Sequence, residues 1–331
     1  GKFAVDDSGF RFDQTTLNLP HLKLAAFVKV DANGFDIDVN GDIKLEDVGR
    51  LSAFPIGGLG QLHWTIKGKK PGVLFGFDFS LKDAYYLNLK LGAVAGRVNY
   101  DDGTNTIELI NLKADQGRSQ FLANGDIKVD EREDINIDVK MPTGTIQDFA
   151  LVMSNYIQSA APWYPTDTVG SMKGTIDIRG KTELSKLSIE GVMAVENLDI
   201  KREIFRSGKF NAGFRKGGYF AEKVLLKKRG GSIFGDFSMS PEKVLKFDFK
   251  SENLNTQDFD LLSILGVPFR ASFLFESSGT GKFEALKSHT RLLIGDGVLK
   301  TYPVKGSEVL IDTDQGRLKS EITIFGGQAK A

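Results

Sequence analysis

The residues of this chain that could do chemistry are scattered rather than clustered. Its three histidines, His21, His63 and His289, lie far apart, and none has a histidine or acidic neighbour at the spacing of a metal site. The chain has no cysteine, which excludes disulfides and thiolate chemistry, and no Gly-x-Ser-x-Gly elbow that would expose a nucleophilic serine. Its carboxylates mostly alternate with apolar residues, as they do on solvated strand faces. The sequence therefore predicts a protein that is not an enzyme and that uses no cofactor or metal.

One segment has the outline of a phosphate-binding loop. Residues 277–282 read Ser-Ser-Gly-Thr-Gly-Lys. Such a loop needs a glycine where this chain has Glu276, and it needs a hydroxyl ligand for magnesium where Phe283 stands. The serine and glycine content instead predicts a hairpin turn at this segment.

The charge balance excludes two broad classes of partner. Lys and Arg number 43, Asp and Glu number 43, and the formal net charge is zero. A nucleic-acid-binding protein needs a basic surface to neutralise phosphates, so we expect no nucleic acid. The same balance argues against binding anionic headgroups by bulk charge. No apolar run reaches the roughly 18 residues that a membrane-spanning helix needs.

The elements that could carry a function are strands with one apolar face. Apolar and polar residues alternate with period two in many segments, including 35–39, 75–81, 135–139 and 245–249. Typical strand lengths of about 5–8 residues predict about 20 short strands. Helical pattern is confined to residues 148–160, with Asp148 as N-cap, and residues 258–265.

Internal repetition indicates how these strands are organised. Thr145-Ile-Gln-Asp-Phe149 recurs 110 positions later as Asn255-Thr-Gln-Asp-Phe259, and each copy follows an alternating strand. We therefore expect repeats of about 100–110 residues. The predicted boundaries are the end of a preceding repeat over 1–57, a second repeat over 58–169, a third repeat over 170–266 and a partial fourth repeat over 267–331. Because no long linker separates these repeats, we predict one continuous groove, an elongated curled antiparallel β-sheet with few short helices.

The pattern resembles the TamB and AsmA-like proteins of diderm bacterial envelopes, members of the repeating β-groove group of bridge-like lipid transfer proteins. The resemblance rests on alternating strands that end in an Asp-led segment and on Gly-x-apolar restarts at Gly60 and Gly170. Glycine-containing phrases at 295–299 and 325–329 belong to the same pattern. It covers nearly the whole chain except residues 160–169.

The resemblance implies a periplasmic protein that carries phospholipid acyl chains along an apolar groove between the inner and outer membranes. The implied partners are a phospholipid or other acyl-chain lipid and an outer-membrane β-barrel protein. We expect the chain to be a piece of a longer protein whose inner-membrane anchor lies outside it. The alternative is a chaperone-like or structural periplasmic module that assists outer-membrane β-barrel assembly by pairing with client strands.

Alternation identifies the residues expected to line the groove. A one-residue shift in register would move every one of them to the other face of the sheet. The predicted groove residues are Phe35, Ile37, Val39, Phe75, Phe77, Phe79, Leu87, Leu89, Ile135, Ile137, Val139, Phe210, Phe247, Phe249, Phe273 and Phe275.

Overall fold

The chain folds almost entirely into β-strands. The computed structural model describes residues 2–6, 9–19, 22–32, 34–46, 56–69, 72–86, 89–130, 133–152, 167–181, 183–259, 269–327 and 329–330. These residues form 23 strands of one antiparallel sheet that does not close on itself, with a few short helical segments. The predicted fold class, a mainly β, open antiparallel sheet with few helices, is confirmed.

Many strands exceed ten residues, so the prediction of short strands is wrong for much of the sheet. The first ten are β1 (Lys2–Asp6), β2 (Gly9–Leu19), β3 (Leu22–Asp31), β4 (Gly34–Lys44), β5 (Ile56–Gly68), β6 (Leu74–Tyr86), β7 (Leu89–Asp101), β8 (Thr106–Gln116), β9 (Ser119–Lys128) and β10 (Asp134–Thr143). The next seven are β11 (Val169–Lys181), β12 (Leu187–Ile200), β13 (Glu203–Arg215), β14 (Gly218–Lys227), β15 (Ser232–Met239), β16 (Val244–Glu252) and β17 (Leu254–Asn255). The last six are β18 (Phe269–Lys282), β19 (Lys287–Leu299), β20 (Tyr302–Val304), β21 (Ser307–Asp314), β22 (Arg317–Ile324) and β23 (Ala329–Lys330).

Helical segments are short. The α-helix α1 spans Ile146–Val152. Four 3-10 turns complete the described elements: η1 (Leu184–Lys186), η2 (Thr256–Asp258), η3 (Phe283–Ala285) and η4 (Phe325–Gly327).

Contacts divide the chain into two compact units. Unit 1 comprises Gly1–Tyr164 and Asp177–Thr182, and unit 2 comprises Pro165–Ile176 and Glu183–Ala331. In unit 1 the strands from β1 to β10 each pair with the next along the chain. In unit 2 the same up-and-down order runs from β12 to β16 and continues through β18, β19, β21 and β22. The repeat boundaries given above stay a prediction.

A β-bulge recurs in the two units. Asn111 in β8 and Lys223 in β14 both have positive φ, and the register of each strand shifts around them. The backbone N–H of Asn111 donates to the Asn124 side chain (2.7 Å), and that of Lys223 donates to Asp236 (2.7 Å). Each bulge inserts one residue into the alternation, so that Leu109 and Leu112 lie on the same face.

The Asp-led segments also occupy equivalent places, after β10 and after β16. The carboxylate of Asp148 accepts hydrogen bonds from the Arg118 N–H (2.8 Å) and the Ser119 hydroxyl (2.9 Å). Asp258 likewise accepts from the Gly230 N–H (3.0 Å). Asp148 therefore ties the segment after β10 to the turn between β8 and β9. Asp258 ties the segment after β16 to the turn between β14 and β15. The prediction that Asp148 is an N-cap is wrong, because α1 begins at Ile146 and the Thr145 hydroxyl accepts the Asp148 N–H (3.1 Å).

Two other local predictions are corrected. The predicted start of the second helix at Asp258 is wrong, because Asp258 ends a 3-10 turn and Phe259 is extended. The rest of that prediction, residues 260–265, lies outside the described part, as do residues 153–160. Residues 277–282 lie inside β18 and not in a hairpin turn. The small residues make room for aromatic rings of β16, since a Cβ on Gly279 would lie 2.7 Å from the ring of Phe247.

Candidate functional site: the apolar face

In unit 1 the strand register aligns apolar side chains into rows that cross the sheet. Residues opposite each other in paired strands point to the same side of the sheet. One row, from β4 to β10, is Ile37, Ile66, Phe75, Tyr100, Ile107, Ile127 and Ile135. The next row is Val39, Trp64, Phe77, Val98, Leu109, Gly125 and Ile137. These rows and their neighbours on the same side are called the apolar face of unit 1.

The structure brings the predicted residues of unit 1 onto this one face. They are Phe35, Ile37, Val39, Phe75, Phe77, Phe79, Ile135, Ile137 and Val139. Leu87 and the side chain of Leu89 lie outside the described residues. Sequence reasoning missed Trp64 and Tyr100, although the alternation Leu62-x-Trp64-x-Ile66 carried the signal.

The chemistry of this face is that of hydrocarbon. Neither of the two rows contains an Asp, Glu, Lys or Arg, and most of their side chains are half-buried. The rings of Trp64 and Phe77 stack with centroids 5.7 Å apart. The indole N–H of Trp64 is buried and has no acceptor among the described residues. The face therefore offers dispersion and hydrophobic contacts to a ligand that lacks charge.

Unit 2 has an apolar face of the same kind. Phe237 of β15 lies between Ala221 and Phe247, and Phe249 lies opposite Gly235. Phe210 pairs with Met193, and Phe273 and Phe275 pair with Ile294 and Leu292. All five predicted residues of this unit share this face: Phe210, Phe247, Phe249, Phe273 and Phe275.

Hydroxyl groups interrupt the apolar face of unit 2. Across β18 and β19, Ser277 and Thr290 form a hydrogen bond of 2.7 Å. Across β19 and β21, Ser288 and Thr313 form another of 2.7 Å. The hydroxyls thus satisfy one another within the sheet, which lowers the cost of placing them on this side.

A buried lysine marks one end of the apolar face of unit 2. The Lys228 side chain is 1% exposed and its ammonium donates to Glu203 and to the backbone carbonyl of Asp258 (2.9 Å). The same ammonium lies 4.7 Å from the Phe205 ring centroid and 4.9 Å from that of Phe259. The two acceptors, Glu203 and the Asp258 carbonyl, and the two aromatic rings compensate the ammonium for the hydration that it loses on burial. No pattern in the sequence marked Lys228 as different from the other lysines.

On the opposite face of unit 1, several charged side chains pair with one another. In unit 1, His63 lies between Asp38 (2.9 Å) and Asp78 (3.4 Å), beside a shallow cavity of about 570 Å³. The Arg179 guanidinium hydrogen-bonds Asp138 and holds the pKa of that carboxyl below its ordinary value. Exposed pairs of this kind contribute little to stability. Within the described residues, no three His, Asp or Glu side chains lie where they could hold a metal ion.

No family model, curated protein or solved structure matches the chain. Among the described residues, no helix has the length and apolar character to cross a membrane.

Proposed function

We propose that the apolar faces bind the acyl chains of phospholipids and that the chain is a segment of a periplasmic bridge for lipids between the inner and outer membranes. The resemblance to TamB and AsmA-like proteins is the reason for placing this role in the periplasm. The chemistry of the faces supports the ligand. In this proposal the anchor and any outer-membrane β-barrel partner act through other segments or proteins.

The observation that carries the proposal is an uncharged face that stays partly exposed. Two rows cross seven strands of unit 1 without a charged side chain, yet Phe75, Phe77 and Ile137 remain half-buried. Exposed apolar surface costs about 25 cal/mol per Å² in water. An acyl chain removes that cost without bringing charges or hydrogen-bonding groups, and each buried CH₂ contributes about 0.8 kcal/mol.

The test places a charge on the apolar face of unit 1 and on that of unit 2 in the same protein. The double variant Phe77→Asp/Phe249→Asp puts one carboxylate in the middle of each face. Because both positions are half-buried, water can reach the new carboxylates, and we expect the β-sheet circular dichroism spectrum to persist. Phospholipid recovered by solvent extraction and mass spectrometry from protein purified without detergent should fall at least fivefold relative to wild type.

The matched control is Asp78→Ser/Asp248→Ser, which alters the polar face one residue further along the same strands. It should retain lipid at the wild-type level. Wild-type protein that carries no lipid, and that binds no fluorescent fatty acid after delipidation, would refute the proposal. Lipid-free protein that captured extended peptides would instead favour the strand-pairing alternative.

A further inference from the structure

The apolar face of unit 1 is buried unevenly along its strands. In β10, Ile135 at one end is half-buried, whereas Met141 near the other end is 1% exposed. In β6, Phe75 is half-buried and Leu81 is buried, whereas Val73, just before the strand, is itself 1% exposed because the turn at Asp102 packs against it. Leu81 forms a buried cluster with Ile43 and Ala84, and this cluster lies at the same end of the strands as Met141. We call the end with Met141 and Leu81 the closed end and the other the open end.

Unit 2 has the same gradient. In β12, Ile189 is half-buried and Val195 is 1% exposed. In β14, Tyr219 is 40% exposed, whereas Val224 is buried. Met193, beside Val195, is buried as well, but Met239, paired with Tyr219, is half-buried. The end with Val195 and Val224 is therefore the closed end of unit 2.

The segment after β10 covers the closed end in unit 1. Helix α1 follows β10 but contacts β7, so it reaches past the ends of β9 and β8. Ser119, on the apolar side of β9, donates to Asp148 and accepts the Thr145 N–H (2.9 Å). These bonds hold the start of α1 against the apolar side of the sheet.

The segment after β16 does the same in unit 2. Leu254 is 1% exposed, and the Thr256 hydroxyl donates to the Phe269 carbonyl (2.8 Å). The Phe259 ring lies edge-on to Phe273 with centroids 4.8 Å apart. Lys228 anchors this turn through the Asp258 carbonyl. The turn thus occupies apolar surface that an acyl chain would otherwise reach.

We infer that acyl chains bind only along the open half of each apolar face, and that the Asp-led turns set the width of the site by occupying the closed half. This inference rests on the proposed function and specifies it further. Phe75, Ile135, Tyr219 and Met239 then contact lipid, whereas Met141, Met193 and Leu254 do not. A side chain that other residues of the protein bury almost completely has no accessible surface with which to contact a lipid.

Methionines of the chain make a nearly isosteric test possible. Photo-methionine, a diazirine analogue, can replace Met141, Met172, Met193 and Met239 without enlarging a buried side chain. Met172 is 6% exposed and adds a further buried position that should carry no adduct. Met153→Leu removes a methionine outside the described residues, and Ile135→Met adds a probe at the open end of the strand that holds Met141. The protein is incubated with vesicles of phosphatidylethanolamine and phosphatidylglycerol, irradiated, digested and analysed by mass spectrometry.

We expect lipid adducts on the peptides with position 135 and Met239, at least tenfold above those with Met141 and Met193. Equal adducts at both ends, or adducts confined to the closed end, would overturn the inference and leave lipid binding itself intact. If solvent extraction shows that the protein holds phospholipid, but position 135 and Met239 carry no adduct, the inference is also overturned. Absence of any bound phospholipid would refute the proposed function instead.

Discussion

The two units carry polar groups at different places on the apolar side, and unit 1 has the buried Ser119 hydroxyl at its closed end. In unit 1, two rows cross seven strands without a charge or a hydroxyl other than that of Tyr100. In unit 2, hydroxyl pairs at Ser277 and Ser288 interrupt the face, and Lys228 is buried at its closed end. In unit 2, Ser277, Ser288 and Lys228 are each satisfied by another group of the same unit, which lowers the cost of burying them.

Some features occur in both units, and others occur in one unit alone. Alternation in paired strands is common to both units, and so are the bulge in β8 and β14 and the aspartate-tied turn. The buried ion pair belongs to unit 2 alone among the described residues. The shared features therefore carry the architecture, whereas Lys228 fixes one particular turn.

Breaking the buried ion pair should have the largest effect on stability. Glu203→Gln leaves the Lys228 ammonium, which is 1% exposed, without a counter-charge. We expect the free energy of unfolding to fall by about 3 kcal/mol, as measured by urea denaturation followed by far-ultraviolet circular dichroism.

An apolar replacement of both partners should restore most of that loss. Lys228→Met/Glu203→Leu removes both charges and makes this end of unit 2 resemble unit 1, so its stability should lie within about 1 kcal/mol of wild type. Lys319→Gln, which removes an exposed pair with Glu321, is the control and should change little. A double variant as unstable as Glu203→Gln would show that the Lys228–Glu203 pair stabilises this end of unit 2 by more than charge compensation.

Removing the aspartate from either Asp-led turn should have a smaller effect, of similar size in the two units. Asp148→Ala leaves the Arg118 N–H and the Ser119 hydroxyl without their acceptor, and Asp258→Ala does so for the Gly230 and Asn255 N–H groups. Each should lower the free energy of unfolding by about 2 kcal/mol in the same urea assay.

The exposed Asp248→Ala on the polar face of β16 is the control and should leave stability within about 0.5 kcal/mol of wild type. A large loss for one turn and none for the other would contradict the view that the two aspartates are one repeated device.

The smallest expected effect is at acid pH. The side-chain hydrogen bond from Arg179 lowers the pKa of Asp138 in unit 1, and the Gly306 N–H together with Lys305 lowers the pKa of Asp296 in unit 2. A carboxyl whose folded-state pKa is depressed stabilises the fold above its unfolded pKa, near pH 4, and loses that contribution as pH falls through the folded pKa.

Asp138→Asn and Asp296→Asn should each make the urea midpoint less dependent on pH below about pH 4 and leave that dependence unchanged near neutrality. Both carboxyls are exposed, so the changes should be small. An unaltered acid profile in both variants would show that these pairs do not persist in solution.

The sequence by itself determined the class of the fold and the identity of the apolar face. Period-two alternation in segments such as 75–81 and 245–249 specifies which side chains point together, because a strand has no other periodicity. Fourteen of the sixteen predicted groove residues have described side chains, and all fourteen lie on the apolar face of their own unit. Whether that face binds lipid stays a proposal.

Only the tertiary structure decided where alternation is interrupted and which end of each face is closed. The bulges at Asn111 and Lys223 depend on acceptors 13 residues away in the next strand. Gly279 resembles a turn residue until the ring of Phe247 is placed beside it. Met141 and Ile135 are both apolar residues of one strand, yet Met141 is 1% exposed and Ile135 is half-buried. Such contacts join segments that are distant in sequence, and no local pattern encodes them.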